Sequence, residues 1–116
     1  MFFILLTRYT GPDRSEQVLE AHRKWLFAKY AQGSFVFSGG FGSFRAGPAG
    51  ELAALAMVEA ESYDAAKAIV DSEPFFVNAD CTQELLPFTP RVRTSNLDRI
   101  FGDELIVVER DGLVGR

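Results

Sequence analysis

Apolar residues run without a break from Phe2 to Leu6, and Gly11-Pro12-Asp13 follows shortly after as turn chemistry. A run of that length predicts a first strand over residues 2–7. Asp13 stands three residues before Glu16, the spacing of a capping box, and good helix formers then continue to Gln32, where Gly33 stops them. This predicts a first helix over residues 15–32 with Asp13 as its N-cap. Ser34-Phe35-Val36-Phe37-Ser38 alternates as a strand with unlike faces does, and Gly39-Gly40-Phe41-Gly42 is expected to break it. Residues 45–50 have loop composition, and an apolar strand resumes over residues 52–59, so the second and third strands form a hairpin with a long connection.

Ser62 is the expected N-cap of an Ala-rich helix through Val70. Pro74 forces Glu73 into extended geometry and ends that helix before it. Phe75-Phe76-Val77 reads as a short turn or helical fragment, and residues 82–88 as a fourth strand with Pro87 inside it, which is tolerated at a sheet edge. The order βαββαβ is the split βαβ, ferredoxin-like α+β arrangement, with the first and third strands central and the fourth at an edge. Both helices cover one face of such a sheet. Apolar side chains on the other face call for a second subunit, sheet against sheet. Residues 1–90 form this domain. Residues 91–116 are a C-terminal extension, with a helical fragment at 96–101 and a strand candidate, Leu105-Ile106-Val107-Val108, that would add to a sheet edge of its own subunit or a neighbour.

With 116 residues there is room for one hydrophobic core, and 47% apolar content with eleven Phe fills it, which argues against disorder. The net charge of −4, with no cluster of Lys and Arg, leaves no footprint for a phosphate backbone, so nucleic acid is not an expected partner. The apolar start has no basic region before it and is too short to span a bilayer, so it reads as the first strand of a cytoplasmic protein that does not engage a membrane. One cysteine, Cys81, forms no internal disulfide, and with a single histidine it completes no zinc site; no metal is expected.

That histidine is His22. It falls one helical turn from Val18 and from Leu26, on the apolar face that continues through Leu19, Trp25 and Tyr30, so it points toward the sheet. An imidazole there is partly desolvated, which favours its neutral, basic form unless a carboxylate offsets the effect. A core histidine satisfied by a backbone carbonyl has the same spacing. The candidate carboxylate is Glu73, held by Pro74 at the exit of the second helix. Ser38, Gly39 and Gly40 offer a hydroxyl and permissive backbone for close approach to a small ligand, and a plain hairpin bend would use the same glycines. They do not match a dinucleotide fingerprint, which needs a helix opening directly after the glycines.

Ala21-His22 on the first helix, Ser38-Gly39-Gly40, the Ala-rich second helix, Glu73-Pro74-Phe75-Phe76 and Glu84-Leu85-Leu86-Pro87-Phe88 together resemble the YCII-related family, over residues 2–88. The resemblance implies a dimeric ferredoxin-like α+β barrel with a histidine and an acidic residue facing one cleft as a catalytic dyad. It places His22 in the first role and Glu73 in the second, and the family's chemistry includes dehydrochlorination of a chlorinated hydroquinone. Glu73 stands where the family usually has Asp, Leu19 where an Arg is common, and Gly39-Gly40 where Gly-Pro often ends the second strand.

The expected function is a cofactor-independent lyase or isomerase acting on a small molecule, with His22 as general base and Glu73 as its partner. Ser38, Gly39 and Gly40 would bind the substrate. The alternative is a non-catalytic ligand-binding or assembly module that uses the same dimer cleft. Haem or oxygen chemistry is a third reading, which would need His22 as an axial ligand over an open pocket.

Overall fold

The computed structural model describes residues 1–10, 15–42, 47–97 and 105–111. Strand β1 (Phe2–Tyr9) is followed by helix α1 (Glu16–Ala31), then by β2 (Phe35–Gly40) and β3 (Leu52–Glu59). Helix α2 (Tyr63–Val70), the single-turn α3 (Pro74–Val77) and β4 (Cys81–Phe88) complete the order. The sheet runs β2-β3-β1-β4 and its pairings are antiparallel, the ferredoxin-like arrangement. Pro87 lies on β4, an edge strand, where a missing N–H costs no ladder bond on the outer side.

β1 alternates strictly, with Phe3, Leu5, Thr7 and Tyr9 buried. Phe3 and Leu5 meet Phe35, Val58, Val70 and Leu85 in the core. The other face of the sheet carries Phe2, Ile4 and Leu6, continued across the strands by Phe37, Leu86 and Phe88, which are about two-fifths exposed (41%, 40% and 44%).

Several expectations are corrected. α1 is capped by Ser15, whose hydroxyl accepts the Val18 N–H, and Asp13 lies outside the described residues. Gly39 and Gly40 do not break β2; they are its last two residues and pair with Leu55 and Ala54. The alternation of β2 is itself interrupted. Phe35 pairs with Val58 but Phe37 with Met57, so β2 holds one extra residue, a β-bulge that inverts the pleat beyond it. Phe35 is therefore buried, Phe37 falls on the opposite face of the sheet, and Ser38 turns inward beside Ala56.

Leu105 to Val108 form no strand; they lie in a shallow groove beside Leu26, Phe27 and Val36. The tail is held further along by the Asp111 N–H, which donates to the Ala31 carbonyl over 2.7 Å, at the C-terminal end of α1. The helical fragment expected at 96–101 falls mostly outside the described residues, from 98 onward.

Candidate functional site

α1 seals no residue completely, although one face of it, including Val18, His22, Trp25, Leu26 and Tyr30, is turned to the protein. The strand positions beneath it are small and leave space between helix and sheet unfilled. Ser38 and Ala56 form one row with Leu5, and Gly40 and Ala54 form the next with Thr7. The space left is a cavity of about 180 Å³, roofed by His22, Trp25 and Leu26 and closed at one end by Glu73 and Phe75. An apolar cavity of roughly 150 Å³ accommodates a benzene ring. A single ring is thus the scale of ligand this space can hold.

Glu73 owes its position to local backbone chemistry. Pro74 holds it extended (φ −64°, ψ 127°), which makes it the N-cap of α3, and its Oε2 accepts the Phe76 N–H over 3.1 Å. The Cys81 Sγ lies 3.9 Å from the same oxygen. With Oε2 so engaged, Oε1 is aimed at α1, where it lies 2.6 Å from His22 Nδ1. The carboxylate is nearly sealed, its side chain 5% exposed, and the imidazole is 16% exposed. Phe75 stacks on the imidazole with ring centres 4.5 Å apart, fixing its plane. The extra methylene of Glu73 relative to Asp does not keep the two groups apart.

His22 also borders a second groove, on the outer side of α1, with Glu16, Glu20 and Arg23. The imidazole thus stands between an apolar cavity and a charged surface open to water.

Sequence patterning placed Trp25 and Tyr30 on the apolar face of α1 without a role. The Trp25 indole N–H donates to Ser72 Oγ over 2.9 Å, and the Ser72 hydroxyl donates to the Ile69 carbonyl over 2.7 Å, which ties α1 to the end of α2. The Tyr30 hydroxyl lies 2.6 Å from Ser38 Oγ. Burial holds the Tyr30 phenol above its ordinary value of 10.0, against the opposite pull of the hydrogen bond to Ser38. A signal for this pair existed in the sequence only as a Tyr on the covered face and a Ser on the next strand. Gly39 and Gly40 line the cavity with Ser38, and a Cβ placed on Gly39 would meet no atom within 4 Å. Among the described residues no group of three or more His, Cys, Asp or Glu side chains could hold a metal ion, and no helix is long and apolar enough to cross a membrane.

A sequence model of the YCII-related domain matches residues 1–89, three-quarters of the chain. The chain belongs to the YCII-related family. No functionally curated protein matches this YCII-related protein. Among solved structures it is similar to the 5-chloro-2-hydroxyhydroquinone dehydrochlorinase of Burkholderia phenoliruptrix AC1100 in complex with 2,5-dihydroxybenzoquinone, with a TM-score of 0.53 and 19% identity. That match covers 77% of this chain and 94% of the dehydrochlorinase. At this identity the likeness speaks for the shared ferredoxin-like fold.

Proposed function

We propose that this YCII-related protein is a cofactor-independent small-molecule enzyme of lyase or isomerase type, in which His22 removes a proton from a small ring and Glu73 holds the imidazole. The observation that carries this reading is the 2.6 Å contact of His22 Nδ1 with Glu73 Oε1 at the wall of a ring-sized cavity. With the carboxylate ionised, Nδ1 carries the proton and donates it to Glu73, and Nε2 is the nitrogen assigned to the substrate. Proton transfer to Nε2 gives an imidazolium that the buried carboxylate stabilises. The electron pair left on the ring carbon expels a leaving group from its neighbour, the lyase outcome, or takes a proton back at another position, the isomerase outcome.

Ser38, Gly39 and Gly40 line the cavity on its β2 side and would bind the ring there. The groove beside Glu16 and Glu20 lets the imidazolium return its proton to water. The similar dehydrochlorinase is named for elimination from a hydroxylated ring, which is chemistry of this kind.

The test is a screen of small quinols, lactones and dienoic acids in D₂O, followed by NMR for turnover and for deuterium uptake at carbon. Binding is read from the fluorescence of Trp25, the chain's single tryptophan, which lines the cavity. Turnover or exchange is expected for at least one ring compound, with both signals lost in Ala54→Leu, whose added carbons fill the cavity floor. Ligands that quench Trp25 while undergoing neither turnover nor exchange would leave a binding module instead.

We also propose that a second copy packs on the sheet face at Leu86 and Phe88, since exposed apolar side chains on a sheet are a liability in a monomer. Sedimentation should give a dimer, and replacing Leu86 and Phe88 together by Asp should dissociate it. A monomeric wild-type protein at micromolar concentration would rule the second copy out.

A further inference from the structure

The cavity has polar side chains toward both edges of the sheet and one, Thr7, between them. Glu73 and Phe75 approach from the α3 side, where that helix packs on α1 and β4, while Ser38 lies on β2. β2 and β4 are the opposite edges of the sheet. Between these ends the walls are Leu5, Leu26, Phe35, Ala54 and Ala56, which offer no side-chain hydrogen-bonding partner, with the Thr7 hydroxyl on the central strand β1. A ring lying across this space from His22 extends toward the β2 edge, where Ser38 lines the cavity.

We propose that Ser38, positioned by Tyr30, is the oxygen-recognising end of the cavity, and that the site takes a monocyclic ring bearing a hydroxyl or keto oxygen on the edge remote from His22. The inference rests on the reading of the cavity as a small-ring site and adds to it a substrate class and a positioning residue. A serine hydroxyl has one proton and two acceptor sites. Either hydroxyl can donate across the 2.6 Å between Tyr30 and Ser38 Oγ; when a ligand oxygen accepts the Ser38 proton, the Tyr30 phenol donates to a Ser38 acceptor site and holds the hydroxyl in place. Tyr30 remains a donor because its burial resists ionisation. It faces the outer groove with Phe27 and Val36, while Ser38 borders both that groove and the cavity, so Tyr30 acts on a ligand only through Ser38. Coupled hydroxyls polarise one another, which strengthens the terminal bond to the ligand.

The bulge in β2 makes this arrangement possible. Had the pleat continued from Phe35, the aromatic ring of Phe37 would occupy the place of the Ser38 hydroxyl.

The experiment compares the binding of hydroquinone and 4-methylphenol by Trp25 fluorescence in the full-length protein. The two probes differ by one ring oxygen, so their affinity ratio reports recognition of the second oxygen apart from general packing. Wild type should favour hydroquinone by about tenfold. Ser38→Ala should bring the ratio to about one while changing 4-methylphenol affinity less than about twofold, and Ser38→Thr should keep the preference. Tyr30→Phe should reduce the ratio in part, and the double variant should match Ser38→Ala, as expected for two groups acting in series. The same ratio in wild type and Ser38→Ala, equal losses for both probes, or no binding of either probe by wild type would overturn the proposal. The ratio is a binding measurement: absent turnover removes the catalytic reading alone, while an unchanged ratio removes this inference alone.

Discussion

His22→Ala should lower turnover of whichever ring compound the wild type processes by about 10²- to 10⁴-fold, the usual contribution of a positioned acid or base. In the proposed reaction the imidazole at the cavity wall accepts a proton from carbon and is stabilised afterwards by the carboxylate 2.6 Å away. Truncation also leaves the buried Glu73 without the nitrogen at Oε1, at a cost of about 1–3 kcal/mol in stability. His22→Asn separates the two effects. Its amide N–H occupies nearly the place of Nδ1 and donates to Glu73, yet it has no basic lone pair. It should fold with close to wild-type stability, bind hydroquinone within about tenfold of wild type, and show the full loss of turnover. Single-turnover kinetics with thermal unfolding of the same samples checks both; substantial turnover by the Asn variant would dismiss His22 as the base.

Glu73→Gln is expected to be nearly as damaging to turnover, again about 10²- to 10⁴-fold, although it changes one atom. Glu73 makes two demands on its carboxylate: Oε2 accepts the Phe76 N–H and Oε1 faces His22 Nδ1. An amide has one accepting atom. If that oxygen keeps the α3 cap, the NH₂ group meets Nδ1 and forces the imidazole proton onto Nε2, the wrong tautomer for a base. If the amide flips, the tautomer is preserved and the helix N-terminus loses its acceptor, about 1 kcal/mol. Glu73→Ala loses both and should cost about 2–4 kcal/mol. The imidazole ¹⁵N shifts report the tautomer directly. A Gln variant with wild-type turnover and an Nδ1–H imidazole would refute the assigned role of the carboxylate.

How much of this was legible beforehand depended on the kind of interaction that decided each element. α2 followed from Ser62 and the Pro74 stop, because caps and proline geometry are local and act within a few residues. The burial alternation of β1 and the inward face of α1 followed from side-chain periodicity. Gly39 and Gly40 were misread because glycine is permissive: it suits a turn, and it suits a strand whose partner supplies the ladder bonds, here Leu55 and Ala54. Only the distant strand decides between the two. The segment at Leu105 to Val108 failed for the converse reason. Its β-branched run has strand propensity, but its apolar groups lie beside α1 and β2 without pairing to the β2 edge, and propensity alone does not make a strand. In the candidate site, helix periodicity could aim His22 inward and Pro74 could fix Glu73, but their 2.6 Å contact arises from the packing of α3 on α1, across 51 residues of chain. Tyr30 was legible as a covered residue and not as a partner of Ser38, since the register error hidden at Val36 decides what β2 shows to the helix.

That extra residue sets a reading frame for the floor of the cavity. Losing one codon at Val36 would restore the simple pleat and present a benzyl ring where a hydroxyl now stands, while every helix stayed in place. β2 is an edge strand with neighbours on one side only, so it is the strand best able to absorb such a slip. Ligand preference on this scaffold can then change in a single step of spacing, with His22 and Glu73 untouched, and relatives with the same pair on α1 and α3 can diverge in what they accept.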